Sequence, residues 1–459
     1  MSLRERLEPL LAKYDAAVPR YTSYPPIPYW GDVNAETVGE WLAEPLKAQD
    51  ASLSLYTHIP FCRSRCHYCG CFVIITPHSE PADRYMEAVH REMEMIASHI
   101  PSPRPVTQYH LGGGTPNFIS ADAMARLVDK AASHFPFAAE VEMSIEADPR
   151  HLNPSELKRL REIGFNRISM GVQDFDEQVQ GGVNRVQPYE QVADQMSHIR
   201  DLGFDGVNFD LIYGLPHQTK DSFARTVERV LALRPDRLAI YNFAYLPQAF
   251  PHQQKMPAET IPDASEKLSI FLTAREMLTE NGYRAIGLDH FALADDELAL
   301  AYNDGSIRRN FMGYTTQAGT EMLAFGVSAI SEYNGRFWQN EKKLARYQRT
   351  IDGGTLPIVR GMKLAPDDLL RKAIISDLFC RGRIDLPTLR DNFGVEMTGN
   401  LASELEKMPD FSADGLVDVN DEGVQVTELG QFFLRNIALV FDNRTSASNA
   451  PPVRFSRSV

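Results

Sequence analysis

Four of the five cysteines of this 459-residue chain lie within ten residues, and this constrains the chain more than any other feature. They are Cys62, Cys66, Cys69 and Cys71. Thiols this close in sequence converge on one site in any fold. A disulfide framework is typical of small secreted domains, whereas this chain is long and begins without a recognisable signal peptide. We therefore predict a metal site.

The spacing of the cysteines selects among metals. A structural zinc site usually has two ligand pairs separated by a longer loop, and no second Cys or Cys/His pair follows at a suitable distance. Four thiolates could instead hold all four irons of a cluster, as in ferredoxins. The C-x3-C-x2-C spacing of Cys62, Cys66 and Cys69 fits a third arrangement better. In it, three thiolates hold three irons of a [4Fe-4S] cluster and leave the fourth iron open to a ligand that is not protein.

The charge and hydropathy of the chain argue against two classes of partner. The formal net charge is -14, whereas contacts to nucleic-acid phosphates need an excess of Lys and Arg. Nowhere do eighteen apolar residues run together, so no membrane span is expected. Free thiols that ligate iron belong in a reducing compartment. We expect a soluble cytoplasmic protein without nucleic-acid or membrane partners.

A pattern of a short apolar run, a polar or glycine signal and an amphipathic helix recurs six times. The runs cover residues 53–58, 106–111, 141–145, 167–171, 206–212 and 237–242, and a seventh covers 283–288. One helix shows its signals clearly: Asn153 as N-cap, Pro154 at the first position, Glu156 in a capping box and Gly164 at the end. Strands that alternate with helices predict a parallel sheet with right-handed crossovers. The fold class is therefore α/β, with a (β/α)6 partial barrel.

Polar or glycine-rich segments follow the predicted strands at the same end. They are the cysteine loop, Gly112 to Pro116, Glu146, Gln173 and Ala244-Tyr245, and Asp210 lies within the end of the fifth strand. In a barrel of this kind, the loops at the carboxyl ends of the strands converge on one mouth, where the chemistry takes place. Each residue taken alone could cap a loop or form a tight turn. Their recurrence at one end favours a ligand site.

The sequence predicts three regions. Residues 1–47 form an N-terminal arm, residues 48–355 the barrel domain and residues 356–459 a smaller winged-helix-like α+β domain. Gly353-Gly354 and Pro357 mark the second boundary. The last region contains predicted helices at 367–380 and 386–393 and a hairpin near 415–426. Between Gly415 and Leu434 there is no Lys or Arg, so we interpret this region as a lid or packing module rather than a DNA-binding one.

The cysteine motif, with Tyr68 just before Cys69, resembles the signature of the radical S-adenosylmethionine (SAM) enzymes. The wider frame, from Tyr56-x-His-Ile-Pro-Phe to Gly70-Cys71, is similar to the oxygen-independent coproporphyrinogen III oxidases. The resemblance runs nearly end to end, and it implies that the N-terminal arm lies near the substrate opening. Its other segments are Arg20 to Pro25, Met170 to Phe175, Val183-Asn-Arg185, Asp210 to Pro216, Asp289 to Ala292, Gly326 to Ile330 and Arg454 to Arg457.

The resemblance implies a role for each matching residue. Cys62, Cys66 and Cys69 would bind the [4Fe-4S] cluster and, with Tyr56, form the catalytic set. Cys71 belongs to the motif but would not be a ligand. A first SAM would contact Tyr56, Gly113, Glu146 and Ile330. A second SAM would contact Tyr68, Gly114, Thr115, Gln173, Arg185, Asp210 and Ala244. Gly181-Gly182 stands where the family is expected to carry bulkier residues, which puts the position of Arg185 in question.

The resemblance also implies an activity in haem biosynthesis. Two propionate side chains of coproporphyrinogen III would be oxidatively decarboxylated to vinyl groups without oxygen, giving protoporphyrinogen IX through a 5'-deoxyadenosyl radical. We expect a monomer served by a reducing electron donor such as a flavodoxin-type protein. The substrate has four carboxylates, which guanidinium groups bind well. Arg20, Arg308 and Arg309 are candidates, and a solvated ion pair is the alternative for each.

Three other functions compete with this interpretation. The first is a haem chaperone on the same barrel, a group that tends to lack the fourth cysteine and the arm segment, both of which are present here as Cys71 and residues 20–25. The second is a haem-degrading or methyl-transferring radical SAM relative. The third is a scaffold that keeps a structural cluster without catalysing a reaction.

Overall fold

The computed structural model describes residues 3–14, 16–48, 51–317 and 319–445. These residues belong to two compact units. The larger unit comprises Gly31–Pro262 and Gly319–Lys363, and the smaller unit comprises Met1–Trp30, Asp263–Ala318 and Leu364–Val459. The predicted domain boundaries after residues 47 and 355 stay a prediction.

Parallel strands form the centre of the larger unit and confirm the predicted partial barrel. Within the described residues they are β1 (Ser52–Ile59), β2 (Val106–Gly113), β3 (Phe137–Ala147), β4 (Arg167–Gln173), β5 (Gly206–Tyr213) and β6 (Arg237–Asn242). Each pairs in parallel with the next. Every strand contains the run predicted for it. Several extend further, so that Gly113, Glu146 and Gln173 lie in the last residues of their strands and not after them.

The sheet continues beyond β1 with strands that the sequence analysis did not predict. They are β7 (Thr320–Phe325), β8 (Ile330–Tyr333), β9 (Arg336–Asn340) and β10 (Ile358–Lys363). The first of these pairs in parallel with β1, and the others follow as antiparallel neighbours. Because β7 runs parallel to β1, the turn between β7 and β8 lies at the carboxyl end of the barrel.

Helices precede β1 and connect the later strands of the larger unit. They are Ala35–Ala43, Glu80–His99, Ala121–His134, Pro154–Ile163, Glu177–Gly182, Tyr189–Asp201, Lys220–Leu233 and Leu344–Asp352. The capping signals predicted around residue 153 are confirmed. The Asn153 side chain accepts from the Glu156 N–H and the Glu156 side chain accepts from the Asn153 N–H, while Leu157 and Leu160 are buried. The helix therefore begins and ends where its sequence predicts.

The smaller unit combines helices with short antiparallel sheets. Its helices include Leu3–Tyr14, Ala264–Glu280, Glu297–Asp304, Pro366–Arg381, Leu386–Phe393, Val395–Gly399, Ala402–Leu405, Met408–Ala413 and Leu434–Val440. Its strands are Tyr283–Ile286 with His290–Leu293, Arg308–Asn310 with Gly313–Thr315, and Arg383–Asp385, Val417–Asn420 and Gly423–Val426. Val417–Asn420 and Gly423–Val426 form the predicted hairpin, and Arg383–Asp385 is a third strand that was not predicted. The seventh apolar run forms half of an antiparallel hairpin and not another β/α unit. None of the described helices is both long and apolar enough to span a membrane.

Candidate active site

The cysteine loop begins directly after β1. The short strand Phe61–Cys62 pairs in parallel with Ile74–Ile75 and closes the loop at its base. Inside the loop, the Cys69 N–H donates to the Cys66 carbonyl oxygen at 3.2 Å, which forms a tight turn. Cys66 is buried, whereas Cys62 is only partly buried. The loop thus holds the predicted ligands on one short, hydrogen-bonded segment.

Side chains from other loops approach two of these sulfurs. Thr115 Oγ1 lies 3.3 Å from Cys62 Sγ, and Arg185 Nη1 donates to Cys66 Sγ at 3.5 Å. Cationic donors stabilise a thiolate, the form that binds iron. Among the residues that the structure describes, no three His, Cys, Asp or Glu side chains are grouped to hold a single metal ion. Three free cysteines on one loop are the type of donor that holds an iron–sulfur cluster, in which each thiolate binds a different iron.

Cys71, which belongs to the motif but is not an expected ligand, interacts with Cys69. Its side-chain hydrogen bond lowers the pKa of the Cys69 thiol to about 7. Burial, by contrast, raises the pKa of the Cys62 thiol to about 11. A proton therefore has to leave Cys62 when a metal binds. The fourth cysteine thus favours the thiolate form of the third, while its expected absence from the ligand set stays a prediction.

The residues predicted for a first SAM meet at the ends of β1, β2 and β3. The Gly113 N–H donates to Glu146 Oε2 at 3.0 Å, and His110 Nε2 lies 3.4 Å from Glu146 Oε1. The Tyr56 ring stacks on His110 with 5.9 Å between centroids, and its hydroxyl lies 3.1 Å from His58 Nδ1. Enclosure by the strands alone would raise the pKa of Glu146, but the hydrogen bonds from His110 and Gly113 outweigh it and lower that pKa. Glu146 is therefore ionised at neutral pH.

Ile330, the fourth residue of this set, is the buried first residue of β8. The turn before it is fixed to the end of β1 by Tyr85. The Tyr85 hydroxyl donates to the His58 carbonyl oxygen at 2.5 Å and accepts from the Val327 N–H at 3.0 Å. Gly326 has a φ of +99°, and a Cβ there would lie 2.1 Å from the Tyr85 hydroxyl. Only glycine permits this close approach, so Ile330 is placed at the same end of the sheet as Tyr56.

Five of the residues predicted for a second SAM lie at or near the ends of β2, β4, β5 and β6, whereas Tyr68 lies in the cysteine loop and Arg185 follows the helix Glu177–Gly182. The five are Gly114, Thr115, Gln173, Asp210 and Ala244. The Gly114 N–H donates to the Ile59 carbonyl oxygen at 2.8 Å, and a Cβ on Gly114 would lie 2.6 Å from the Pro60 carbonyl oxygen. Gln173 ends β4 with a φ of +66°, which is uncommon for a residue with a side chain. Backbone in such a conformation often marks a functional position.

The remaining members of this set are tied to their neighbours. Asp210 Oδ1 accepts from Asn208 Nδ2 at 3.0 Å, and Asp210 Oδ2 accepts from the Ser169 hydroxyl at 3.3 Å. Gln253 Nε2 donates to the carbonyl oxygens of Ala244, at 3.2 Å, and of Tyr68, at 3.4 Å. One amide therefore joins the cysteine loop to the segment after β6.

Comparison with known proteins decides the family. Residues 56–230 match the model of the Radical SAM superfamily, and residues 364–433 match the HemN C-terminal domain. The chain is 41% identical to the oxygen-independent coproporphyrinogen III oxidase of Synechocystis sp. over 98% of this chain and 97% of that protein. It is 42% identical to the Salmonella typhimurium protein of the same name, over 94% of each. The chain belongs to the oxygen-independent coproporphyrinogen III oxidase family.

A solved structure of this family agrees with the fold. The coproporphyrinogen III oxidase (HemN) from Escherichia coli, described as a radical SAM enzyme, superposes with a TM-score of 0.89 at 41% identity. The match covers 92% of this chain and 97% of that one. The resemblance inferred from the cysteine motif is thus confirmed, as is the predicted fold.

The sequence analysis questioned the position of Arg185, because Gly181 and Gly182 stand where the family is expected to carry bulkier residues. The two glycines end the helix Glu177–Gly182, and the structure holds Arg185 without bulk at these positions. The Arg185 N–H donates to the Gln180 carbonyl oxygen at 2.9 Å, and Arg185 Nη2 donates to the Gly171 carbonyl oxygen at 2.6 Å. Arg185 is therefore fixed by hydrogen bonds to the helix and to β4.

The arginines considered for substrate carboxylates belong to the smaller unit. Arg309 donates to the carbonyl oxygens of Tyr21 and Arg20, and its guanidinium lies 5.0 Å from the centroid of the Phe379 ring. Arg308 Nη1 donates to backbone carbonyl oxygens of residues 306 and 307 at 3.0 and 2.9 Å. These contacts give both side chains a packing role within the unit. Their role in oxidase substrate binding stays a prediction.

Sequence reasoning missed several residues of the site. His58 and His110 lie within strands. The alternation of apolar and polar residues along a strand does not distinguish a site residue from any other strand residue. Asp148 and Arg150 form an ion pair, and Arg150 Nη2 lies 3.9 Å from Cys66 Sγ. Both come just after β3, and that position at a strand end was a usable signal. Gln253 lies in a short 3-10 segment, Pro251–Lys255, and nothing in the sequence marks its role.

Proposed function

We propose that this chain oxidatively decarboxylates two propionate side chains of coproporphyrinogen III to vinyl groups without oxygen, giving protoporphyrinogen IX. The observation that carries the proposal is the cysteine loop at the carboxyl end of the barrel, with Arg185 donating to the Cys66 sulfur. Membership of the oxidase family supports the substrate and the reaction. The enzyme is therefore a radical SAM oxidoreductase of haem biosynthesis.

The residues of the cysteine loop would hold the cluster. Cys62, Cys66 and Cys69 would each bind one iron, and the fourth iron would bind SAM. When bound, the reduced cluster and SAM would supply radical chemistry at the β carbon of a propionate. Loss of a hydrogen atom and of carbon dioxide would then leave one electron for an acceptor to remove. The protein contributes orientation and a site closed to water and oxygen. Burial of Cys66 is consistent with such protection.

Tyr56, Gly113, Glu146 and Ile330 would bind this first SAM. The ionised Glu146 suits a positively charged amino group, and its hydrogen bond from Gly113 fixes the carboxylate before any ligand arrives. The aromatic face of Tyr56 is held by the stacked His110 ring. A preorganised pocket of this kind costs less to order when the ligand binds.

A second SAM would contact Tyr68, Gly114, Thr115, Gln173, Arg185, Asp210 and Ala244. SAM carries both a carboxylate and an ammonium group, and Arg185 and Asp210 offer one partner for each. Removing the carboxylate in an Asp210→Ala variant is expected to reduce the SAM bound per reconstituted protein from two to one. Equilibrium dialysis with labelled SAM measures the ratio. A wild-type ratio of one would refute the second molecule while leaving the first intact.

We further propose that the protein works as a cytoplasmic monomer with a flavodoxin-type electron donor, without nucleic-acid or membrane partners. The substrate carboxylates would meet Arg20, Arg308 or Arg309. Arg20→Ala or Arg309→Ala should then lower turnover strongly while the cluster and SAM binding persist. Arg309→Lys is the matched control, because it keeps the charge. Unchanged kinetics in both alanine variants would remove the hypothesis.

One anaerobic assay tests the function. Protein reconstituted with iron and sulfide is incubated with SAM, a reductant and coproporphyrinogen III, and vinyl product is followed by chromatography. Cys66→Ala should abolish the product and the cluster absorbance, whereas Cys380→Ala, which removes a buried thiol of the smaller unit, should keep both. Haem binding without product would instead indicate a chaperone. Methylated or ring-opened haem would indicate a haem-modifying relative.

A further inference from the structure

The segment that follows β3 places a buried ion-pair network beside the cysteine loop. Asp148 is buried, and its carboxylate accepts from Arg150 Nε at 3.0 Å and from Arg150 Nη2 at 2.6 Å. The same carboxylate accepts from Arg185 Nη1 at 3.3 Å. One anion therefore bridges two guanidinium groups that come from different loops.

Both guanidinium groups also face a single sulfur. Arg185 Nη1 lies 3.5 Å from Cys66 Sγ, and Arg150 Nη2 lies 3.9 Å from it. Two positive charges and one negative charge leave an excess of one positive charge next to Cys66. Because Cys66 and Arg185 are buried, this field is weakly screened by solvent. Cys62, by comparison, meets the neutral hydroxyl of Thr115.

The anion in this network keeps its charge throughout the neutral pH range. Burial alone would raise the pKa of Asp148, but the Arg150 and Arg185 guanidinium groups lower it to about 2. The bidentate geometry also fixes the plane of the Arg150 guanidinium. Arg150 is thus held in one orientation toward the sulfur before any cluster binds.

We propose that Arg150, held by Asp148 beside Arg185, hydrogen-bonds the Cys66 thiolate and raises the reduction potential of the cluster bound there. The inference rests on the proposed function, because it requires a cluster on Cys66. One-electron reduction adds a negative charge to the cluster and its thiolates. A nearby positive charge and an N–H donor stabilise the reduced state, and hydrogen bonds to the sulfurs are among the factors that set such potentials.

Arg150 offers a cleaner probe of this effect than Arg185. Arg185 is also a proposed SAM contact, so its replacement would change two properties together. If Arg150 served only as a partner for Asp148, its loss would lower stability without moving the potential of the cluster. The reduction potential therefore separates tuning of the cluster from simple packing.

The experiment measures that potential in reconstituted, full-length protein without SAM. Wild type, Arg150→Gln, Arg150→Lys and Arg159→Gln are titrated anaerobically, and the reduced cluster is followed by electron paramagnetic resonance. Arg150→Gln is expected to lower the equilibrium constant for reduction about tenfold, which is about 59 mV for a one-electron couple. Arg150→Lys should shift less, because it keeps the charge. Arg159 pairs with exposed Asp122 on the surface, and Arg159→Gln should leave the potential unchanged.

Iron and sulfide analysis separates the two proposals. Wild-type protein that takes up no cluster would refute the proposed function. Wild-type iron content in Arg150→Gln together with a wild-type potential would overturn the tuning role alone. If Arg150→Gln takes up no iron, Arg150→Lys decides, because lysine keeps the positive charge but cannot form the bidentate pair with Asp148 that orients the donor toward Cys66. A potential below that of wild type in Arg150→Lys would support the inference, and an unchanged potential would count against it.

Discussion

Two buried carboxylates in the larger unit have opposite surroundings. Glu92, on the helix Glu80–His99, accepts from Asn340 Nδ2 at 2.6 Å, from the Gly326 N–H at 2.8 Å and from the Tyr347 hydroxyl. These donors are neutral, and burial raises the pKa of Glu92 to about 7. Asp148 meets two guanidinium groups, and its pKa falls to about 2. Burial thus gives opposite charge states according to the partners.

The Glu92 and Asp148 networks have different roles near the site, and the charges of their donors decide which. Asn340 also donates to the Gly326 carbonyl oxygen at 2.8 Å, so the Glu92 network fixes the turn that leads to Ile330. The Asp148 network instead brings net positive charge to the Cys66 sulfur. The neutral network therefore sets the shape of the proposed first SAM pocket. The ionic network sets the electrostatic field at the proposed cluster.

Replacing Asp148, the anion of the ionic network, should cause the largest loss of stability. Asp148→Ala leaves the buried Arg185 guanidinium without its carboxylate, and loss of one partner of a buried pair costs about 3–5 kcal/mol. The midpoint of urea unfolding under anaerobic conditions measures the change. The control is Asp122→Ala, which removes an exposed partner of Arg159 and should cost about 0–1 kcal/mol. Equal, small effects of the two substitutions would show that the network is not tightly coupled to folding.

The neutral network should give the stability a definite pH dependence. Glu92 has a folded pKa of about 7, above its unfolded value, so the folded state keeps a proton that the unfolded chain releases. Its stabilising contribution is fully present below about pH 4.5 and is lost as pH rises through about 7, an effect on the order of 3 kcal/mol. The stabilising contribution of Asp148 has the opposite pH dependence, because its folded pKa is lowered to about 2. That contribution is lost only as the pH falls toward this value.

Comparing wild type with Glu92→Gln isolates this contribution. The difference between their free energies of unfolding should change between about pH 4.5 and 8, because the variant cannot titrate at this position. Glu94→Gln is the control, since Glu94 is half exposed on the same helix and pairs with Lys130. A difference that stays constant with pH for Glu92→Gln would contradict a raised pKa.

Some of the fold and of the site could be predicted from the sequence, and the contacts of the ionic network could not. The cysteine loop was predicted because its ligands are consecutive in the chain, and the barrel strands because their apolar runs alternate with clear helices. The strands β7 to β9 were missed because turns join them, as between Ile330–Tyr333 and Arg336–Asn340, without the amphipathic helices that marked the other strands. Arg185 and Cys66 lie 119 residues apart, so their contact depends on the packed barrel and not on any local pattern.

The smallest expected effect is that of removing one hydrogen-bond donor to Glu92. Tyr347→Phe removes one donor to Glu92 and should cost about 1 kcal/mol. Because the hydrogen bond from Tyr347 lowers the pKa of Glu92, its loss should raise that pKa and move the pH-dependent window upward. Tyr85→Phe is the matched control, since its hydroxyl contacts His58 and Val327 but does not donate to Glu92. Tyr85→Phe should lower stability by a similar amount with the window unmoved. The same window shift in both variants would mean that Glu92 responds to general loosening of the turn and not to the hydrogen bond from Tyr347.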